Sequence, residues 1–168
     1  MKEGEIAVSE ILIQSENVAD TEKTGHALAR AIAASLPNEP CFIALYGDLG
    51  AGKTAFVRGF VSVLSPGSRV KSPTYTIVNE YRRGSYPVFH FDLYRVEDPD
   101  ELDSIGFDEY LQNGICIAEW SEHLGDRRPT DALSVTIIKT GDDTRSITLS
   151  LPDTVQFHHD PDEGGTIC

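Results

Sequence analysis

Basic residues are scarce in this chain: 14 Lys and Arg stand against 27 Asp and Glu, giving a formal net charge of −13. Extensive direct contact with nucleic acid needs a basic face to neutralise phosphates, so that class is disfavoured. Partners with basic surfaces fit better, although excess acid also serves plain solubility. Cysteine is sparse as well. Cys41, Cys116 and Cys168 are spaced for neither a zinc site nor a disulfide framework, which leaves buried free thiols as the reading. Long apolar runs are missing. The start, MKEGEIAVSEIL, carries acids and no continuous apolar core, so it reads as neither signal peptide nor membrane span. A cytoplasmic protein with no membrane partner is expected. Internal repeats and linkers are absent too, and 168 residues suit one domain with a real core but no second catalytic domain.

What the chain does have is GDLGAGKT, Gly47 to Thr54, which fits G-x-x-x-x-G-K-[ST]. An apolar run, residues 41–46, precedes it and a helical pattern follows, as a phosphate-binding loop requires. Glycines at 47, 50 and 52 allow positive φ, so that several backbone N–H groups can converge on one anion. The following helix aims its unpaired N–H groups at the same point. Asp48, Leu49, Gly50, Ala51, Gly52, Lys53 and Thr54 are therefore the candidate nucleotide-binding residues. Lys53 would reach the β- and γ-phosphates, and the Thr54 hydroxyl would join a Mg²⁺ shell made mostly of oxygens.

Periodicity organises the rest. Leu28, Ala31, Ile32 and Leu36 recur at helical spacing over residues 20–36, closed by Pro37, and a second helix is expected over 54–64. Residues 74–94 are β-rich and broken by Arg82-Arg83-Gly84-Ser85 and Pro87, which predicts a hairpin. Two short helical pieces over 100–111 meet at Gly106, and 115–118 is a continuous apolar run of parallel-strand type. Residues 133–138 and 145–151 read as closing strands. The expected fold is a three-layer α/β domain, P-loop NTPase-like, with a mainly parallel central sheet and antiparallel additions. It occupies residues 1–151; the polar, acidic stretch 152–168 reads as a disordered tail.

Phosphoryl transfer needs an acid near the metal or the attacking water, often at the end of a buried strand. Asp92 ends VFHFD and Glu119 ends ICIAE. Glu119 closes the stronger parallel-strand signal, whereas the alternating run before Asp92 is also compatible with an antiparallel strand. Either acid could instead be a solvated strand end. Trp120, the single tryptophan, either covers the nucleotide or is a half-buried core aromatic. His90 reads as a base or as a structural histidine. Ser72-Pro73-Thr74-Tyr75-Thr76 is either a segment that senses a γ-phosphate or an ordinary strand entry.

Taken together, LYGDLGAGKT, VKSPTYTIVNEY, FHFDLYR, LDSIGFDEYL and ICIAEW, in that order, closely resemble the TsaE (also called YjeE) family of bacterial P-loop ATPases. The likeness covers residues 17–151 and leaves the tail without a counterpart. It implies an accessory ATPase in the threonylcarbamoyladenosine modification of tRNA, at position 37 beside the anticodon, for tRNAs that read codons beginning with adenosine. It also implies action with the TsaB–TsaD pair, tRNA being met only through that complex, and hydrolysis that resets the complex between turnovers. By matching positions, Thr54 and Glu119 would hold Mg²⁺, while Asp92 and Trp120 would support hydrolysis and nucleotide binding. ATP is favoured over GTP, because the Asn-Lys-x-Asp of Ras-like GTPases is missing after the loop. The one Asn-x-x-Asp, Asn17 to Asp20, precedes the loop and lacks the lysine. Two other readings stay open: a small P-loop kinase acting on a metabolite, and a nucleotide-dependent binding module that does not hydrolyse. A kinase usually needs an arginine-rich lid. Arg82-Arg83 and Arg127-Arg128 lie in no obvious helical lid.

Overall fold

Strand β2 (Cys41–Tyr46) is buried from Cys41 through Leu45, as expected of a strand covered on both faces. In the computed structural model, which describes residues 6–160, it lies at the centre of a seven-stranded sheet. The other strands are β1 (Val8–Ser15), β3 (Val78–Tyr81), β4 (Val88–Asp92), β5 (Ile115–Glu119), β6 (Leu133–Lys139) and β7 (Arg145–Pro152). Their order is β1-β7-β6-β2-β5-β4-β3. The four central strands β6, β2, β5 and β4 run parallel. Antiparallel pairs β6–β7, β1–β7 and β3–β4 complete the flanks.

Alternation along the strands separates two apolar layers. Ile43, Leu45, Ile115 and Ile117 face helices α1 (Val18–Ser35) and α2 (Lys53–Leu64), where Leu28, Ile32, Phe56 and Phe60 join the same cluster. Phe42, Ala44, Cys116 and Ala118 face the other way, with Leu102 of α3 (Glu101–Ser104) and Phe107 of α4 (Phe107–Asn113). The period of two in a strand sets this sorting. Phe107 packs edge-on against Phe91 at 5.3 Å between ring centres, an arrangement that aligns one ring's positive edge with the other's negative face. A 3₁₀ segment, Ser121–Arg127, interrupted at Gly125, continues this second face. The outcome is the three-layer α/β domain that the periodicity implied.

Helix α1 starts earlier than its apolar repeat, because Asn17 caps it. The Asn17 side chain accepts from the Asp20 amide at 3.0 Å, and the Asp20 carboxylate accepts from the Glu16 amide at 3.0 Å. The lone Asn-x-x-Asp is thus a helix start. The hairpin expected over 74–94 is present as β3 and β4. Its first residues, however, form a turn, with Ile77 at φ 65°, a left-handed conformation that β-branched residues rarely take. Strand β1 was not anticipated. Its acid-rich start hides a short alternation in which Ile11, Ile13 and Ser15 turn inward along the sheet edge.

The expected tail also begins in an ordered way. Pro152 still belongs to β7, Val155 is buried in the core, and the Gln156 amide donates to Ser35 Oγ at 3.1 Å. This stretch packs on the domain, and residues 161–168, including Cys168, lie outside the described part. Cys41 and Cys116 are buried free thiols, and burial pushes the Cys41 thiol up to about 12. Among the described residues no helix is long and apolar enough to cross a membrane.

Helices α1 and α2 touch backbone to backbone. A methyl group on Gly59 would sit 1.8 Å from the Glu22 carbonyl oxygen, and one on Gly25 would sit 2.1 Å from that of Phe56. Only glycine permits such an approach, and it fixes the direction in which α2 points. Gly59→Ala should therefore cost about 1–3 kcal/mol through overpacking, despite alanine's better helix propensity. Urea unfolding measures this, and a variant as stable as the parent would show that the helices do not touch here.

Candidate functional site

Parallel strands end together at their carboxyl edge, and loops leaving that edge form the usual ligand crevice of open α/β sheets. Here β2 leads into the Gly47–Thr54 loop, β4 ends at Asp92 and β5 ends at Glu119. The loop needs its glycines: Gly50 and Gly52 sit at φ +78° and +106°. Gly52 is the N-cap of α2 and provides no capping side chain, nor is there an acid in the first turn. The first amides of this helix are thus left to meet an anion.

Lys53 is buried. Its Nζ donates to the carbonyl oxygens of Gly47 and, at 3.0 Å, Asp48. The same ammonium lies 4.5 Å from the centre of the Trp120 ring, within cation–π range. Burial lowers its proton affinity below the ordinary lysine value, while the charges of Glu119 first and then Asp92 oppose that shift.

Both sequence-predicted acids lie near enough for their charges to act on this lysine. Asp92 pairs with Glu119 across the parallel β4–β5 ladder, which settles β4 as parallel on that side. Strand parity then turns His90, Asp92 and Glu119 toward the face that carries α2. The two carboxylates are almost fully buried. Asp92 accepts hydroxyl hydrogen bonds from Thr74 at 2.8 Å and Ser72 at 3.3 Å, and the Tyr94 amide at 3.0 Å. Ser72 and Thr74 thus belong to the site rather than to a strand.

Glu119 meets His90. Nε2 of this fully buried imidazole lies 2.8 Å from Glu119 Oε1, and its Nδ1 is buried without a partner. A bare Nδ1 acceptor costs less than an unpaired N–H there, so the proton belongs on Nε2, donated to the carboxylate. His90 is in no position to act as a general base on a substrate, because its one paired nitrogen serves Glu119.

Trp120 adopts a left-handed conformation at φ 59°, which swings its ring beside the loop. It is half-buried between Tyr94, with ring centres 5.0 Å apart, and His123 at 6.2 Å. Thr54, in the first turn of α2, remains partly exposed, while Asp48, Leu49 and Gly50 form the exposed rim of the loop and Ala51 is buried. Lys53, Asp92, Glu119 and Trp120 therefore come together at one place. Arg145, which the sequence did not single out, also reaches it: Nε donates to Ala51 O at 2.7 Å and a terminal nitrogen donates to Gly50 O at 3.3 Å. No local motif marks this arginine, because 94 residues separate it from Ala51.

The oxygens of Thr54, Asp92 and Glu119 make a hard donor set, suited to Mg²⁺, which binds through one or two carboxylates and completes its shell with water and phosphate. Among the described residues no three or more His, Cys, Asp and Glu gather into a metal cage of their own. A cation here would share its shell with a bound ligand.

The family model described as "Threonylcarbamoyl adenosine biosynthesis protein TsaE" matches residues 15–147. A Bacillus subtilis (strain 168) protein named "tRNA threonylcarbamoyladenosine biosynthesis protein TsaE" is 43% identical over 109 residues, 64% of this chain and 68% of that protein. The protein of the same name from Rickettsia bellii (strain RML369-C) is 32% identical over 136 residues, 80% of this chain and 93% of its own length. The crystal structure of Bacillus subtilis YdiB superposes with a TM-score of 0.71 at 31% identity, covering 87% of this chain and 88% of that one. With the loop, both acids and the tryptophan inside the matched region, the chain belongs to the TsaE family, P-loop proteins of tRNA threonylcarbamoyladenosine biosynthesis.

Proposed function

We propose that this protein binds and hydrolyses ATP as an accessory factor for threonylcarbamoyladenosine formation at position 37 of tRNAs that read codons beginning with adenosine. It acts with the TsaB–TsaD pair in the cytoplasm and meets tRNA only through that complex. The convergence of Lys53, Asp92, Glu119 and Trp120 on the phosphate loop carries this reading. The net charge of −13 supports an indirect relation to tRNA. The ATPase domain extends past residue 151, because β7 ends at Pro152 and Val155 is buried in its core.

In this reading the amides of residues 48–54 other than that of Ala51, which donates to Asp48 O, bind the phosphates, and Lys53 exchanges its two loop carbonyls for phosphate oxygens. Thr54 and Glu119 would hold Mg²⁺, which, when bound, neutralises part of the polyphosphate charge. Asp92 orients the attacking water, its carboxylate being fixed by Ser72 and Thr74. The N–H of His90 holds Glu119 in place beside the loop. Trp120 covers the nucleotide beside Lys53. The lone Asn-x-x-Asp is committed to capping α1, which supports ATP over GTP.

Hydrolysis assays with and without TsaB–TsaD test this function directly. Lys53→Ala should lower turnover by about 10²–10³-fold, the usual loss when a group facing developing charge is removed. Thr54→Ala and Glu119→Ala should raise the Mg²⁺ requirement, and Asp92→Ala should slow hydrolysis with little loss of binding. Wild-type turnover by Lys53→Ala at saturating ATP would refute the site. Emission from Trp120, the single indole, should change on adding Mg·ATP, and an unchanged spectrum at saturation would return the ring to the core. The His90–Glu119 pair predicts energetic coupling: Glu119→Leu should cost about 1–3 kcal/mol by leaving a buried N–H unpaired, and adding His90→Leu should recover part of it. Additive losses in urea melts would contradict the pairing.

A further inference from the structure

A loop that gathers its amides around an anion must turn the matching carbonyl oxygens outward, and something must satisfy them. Two of these oxygens, on Gly50 and Ala51, are held by Arg145 at 3.3 and 2.7 Å. The loop's peptide bonds are trans, so fixing each oxygen points the next amide, that of Ala51 or Gly52, to the opposite side of the chain. The Ala51 amide itself is used within the loop, donating to Asp48 O at 3.0 Å, so its plane is fixed at both ends and the amide that Arg145 aims at an anion is that of Gly52. Arg145 thus fixes two consecutive peptide planes of the loop from behind.

The other end of the guanidinium is anchored just as firmly. One terminal nitrogen donates to the carbonyls of Thr144 at 2.8 Å, Gly141 at 3.2 Å and Asp142 at 3.3 Å, all in the β6–β7 turn. Every side-chain hydrogen bond of Arg145 among the described residues is with a carbonyl oxygen, and no carboxylate pairs with it there. In a chain with a net charge of −13, this leaves an arginine charge that no acid neutralises directly behind the phosphate loop. Forked geometry is what the task needs. A guanidinium reaches two successive carbonyls and a turn at once, whereas an ammonium is a single point.

We propose that Arg145 is the positioning residue of the phosphate loop: it ties Gly50 and Ala51 to the β6–β7 turn, so that the loop's amides converge before a polyphosphate arrives. This rests on the nucleotide-binding reading above and adds a residue to it. Because the loop amides serve phosphates common to ADP and ATP, losing the tie weakens both ligands alike.

Calorimetric titration of the full chain with Mg·ADP and Mg·ATP tests this, comparing wild type with Arg145→Met and Arg145→Lys well below their melting temperatures. Arg145→Met should weaken both nucleotides by about tenfold or more, the equivalent of one charge-assisted hydrogen bond. Arg145→Lys keeps the charge but not the fork, and should restore less than half of the loss on a logarithmic scale. The ¹⁵N–¹H resonances of Gly50, Ala51 and Gly52 should shift or broaden in both variants without nucleotide, a change that a general loss of stability would not confine to the loop. Should Arg145→Met fail to fold, Arg145→Lys and Arg145→Gln carry the comparison. Unchanged affinities, full rescue by lysine, or a loss confined to ATP turnover with ADP binding intact would each overturn the proposal. A wild-type chain that binds neither nucleotide would instead refute the nucleotide reading itself.

Discussion

The parallel register of β4 against β5, which sets Asp92 beside Glu119, is the constraint on which the site depends. Side chains alternate along a strand, so a slip of β4 by one residue would send Asp92 to the α3–α4 face, away from Lys53 and out of step with Glu119. The register is held by apolar side chains of both faces. Phe89 and Phe91 must lie among the aromatic residues near α4, and Val88 must join the α1–α2 layer. Hydrophobic sorting over β4 thereby positions charged groups that could not have positioned themselves, since burying a carboxylate is unfavourable without compensation.

That compensation is local. Each acid is met by donors from a different part of the chain: Asp92 by the hydroxyls of residues 72 and 74, and Glu119, among the described residues, by the Nε2–H of His90. The two carboxylates share the field of Lys53, whose own burial works against its charge. Lysine, acids and hydroxyls are balanced as a group, so removing one member leaves another buried charge without its counterpart.

Much of this was legible in the sequence, and for physical reasons. The central strands and both long helices carry strong periods, and the phosphate loop is a local motif with a mechanism in each of its fixed positions. Gly106 marked the break between α3 and α4 because it takes positive φ. What escaped was non-local or masked. Strand β1 is an edge strand with only one buried face, and its other face mixes Val8 and Leu12 with Glu10 and Gln14, so its pattern is faint. The packing of Val155 depends on where β7 delivers the chain. Arg145 acts through carbonyl oxygens, which carry no side-chain identity, and no sequence pattern could announce that contact. The pattern around His90 fits a base or a structural residue alike, because its partner is a carboxylate on the neighbouring strand, visible only once the strand order is known.

The glycine contact between α1 and α2 has a mechanical side. Helices that meet through their backbones have no intervening side chains to re-pack, so the pair behaves as one stiff block and α2 cannot tilt to follow a ligand. Compliance must then reside elsewhere around the crevice. The segment from Ser72 to Ile77 is suited to supply it: it is tethered to the sheet through hydroxyls on Asp92, and it turns through a residue in a sparsely populated backbone state. Tyr75 stands in its middle, 84% exposed. A rearrangement at the Asp92 carboxylate would be felt at that ring within three residues, while the helices behind the loop stay still.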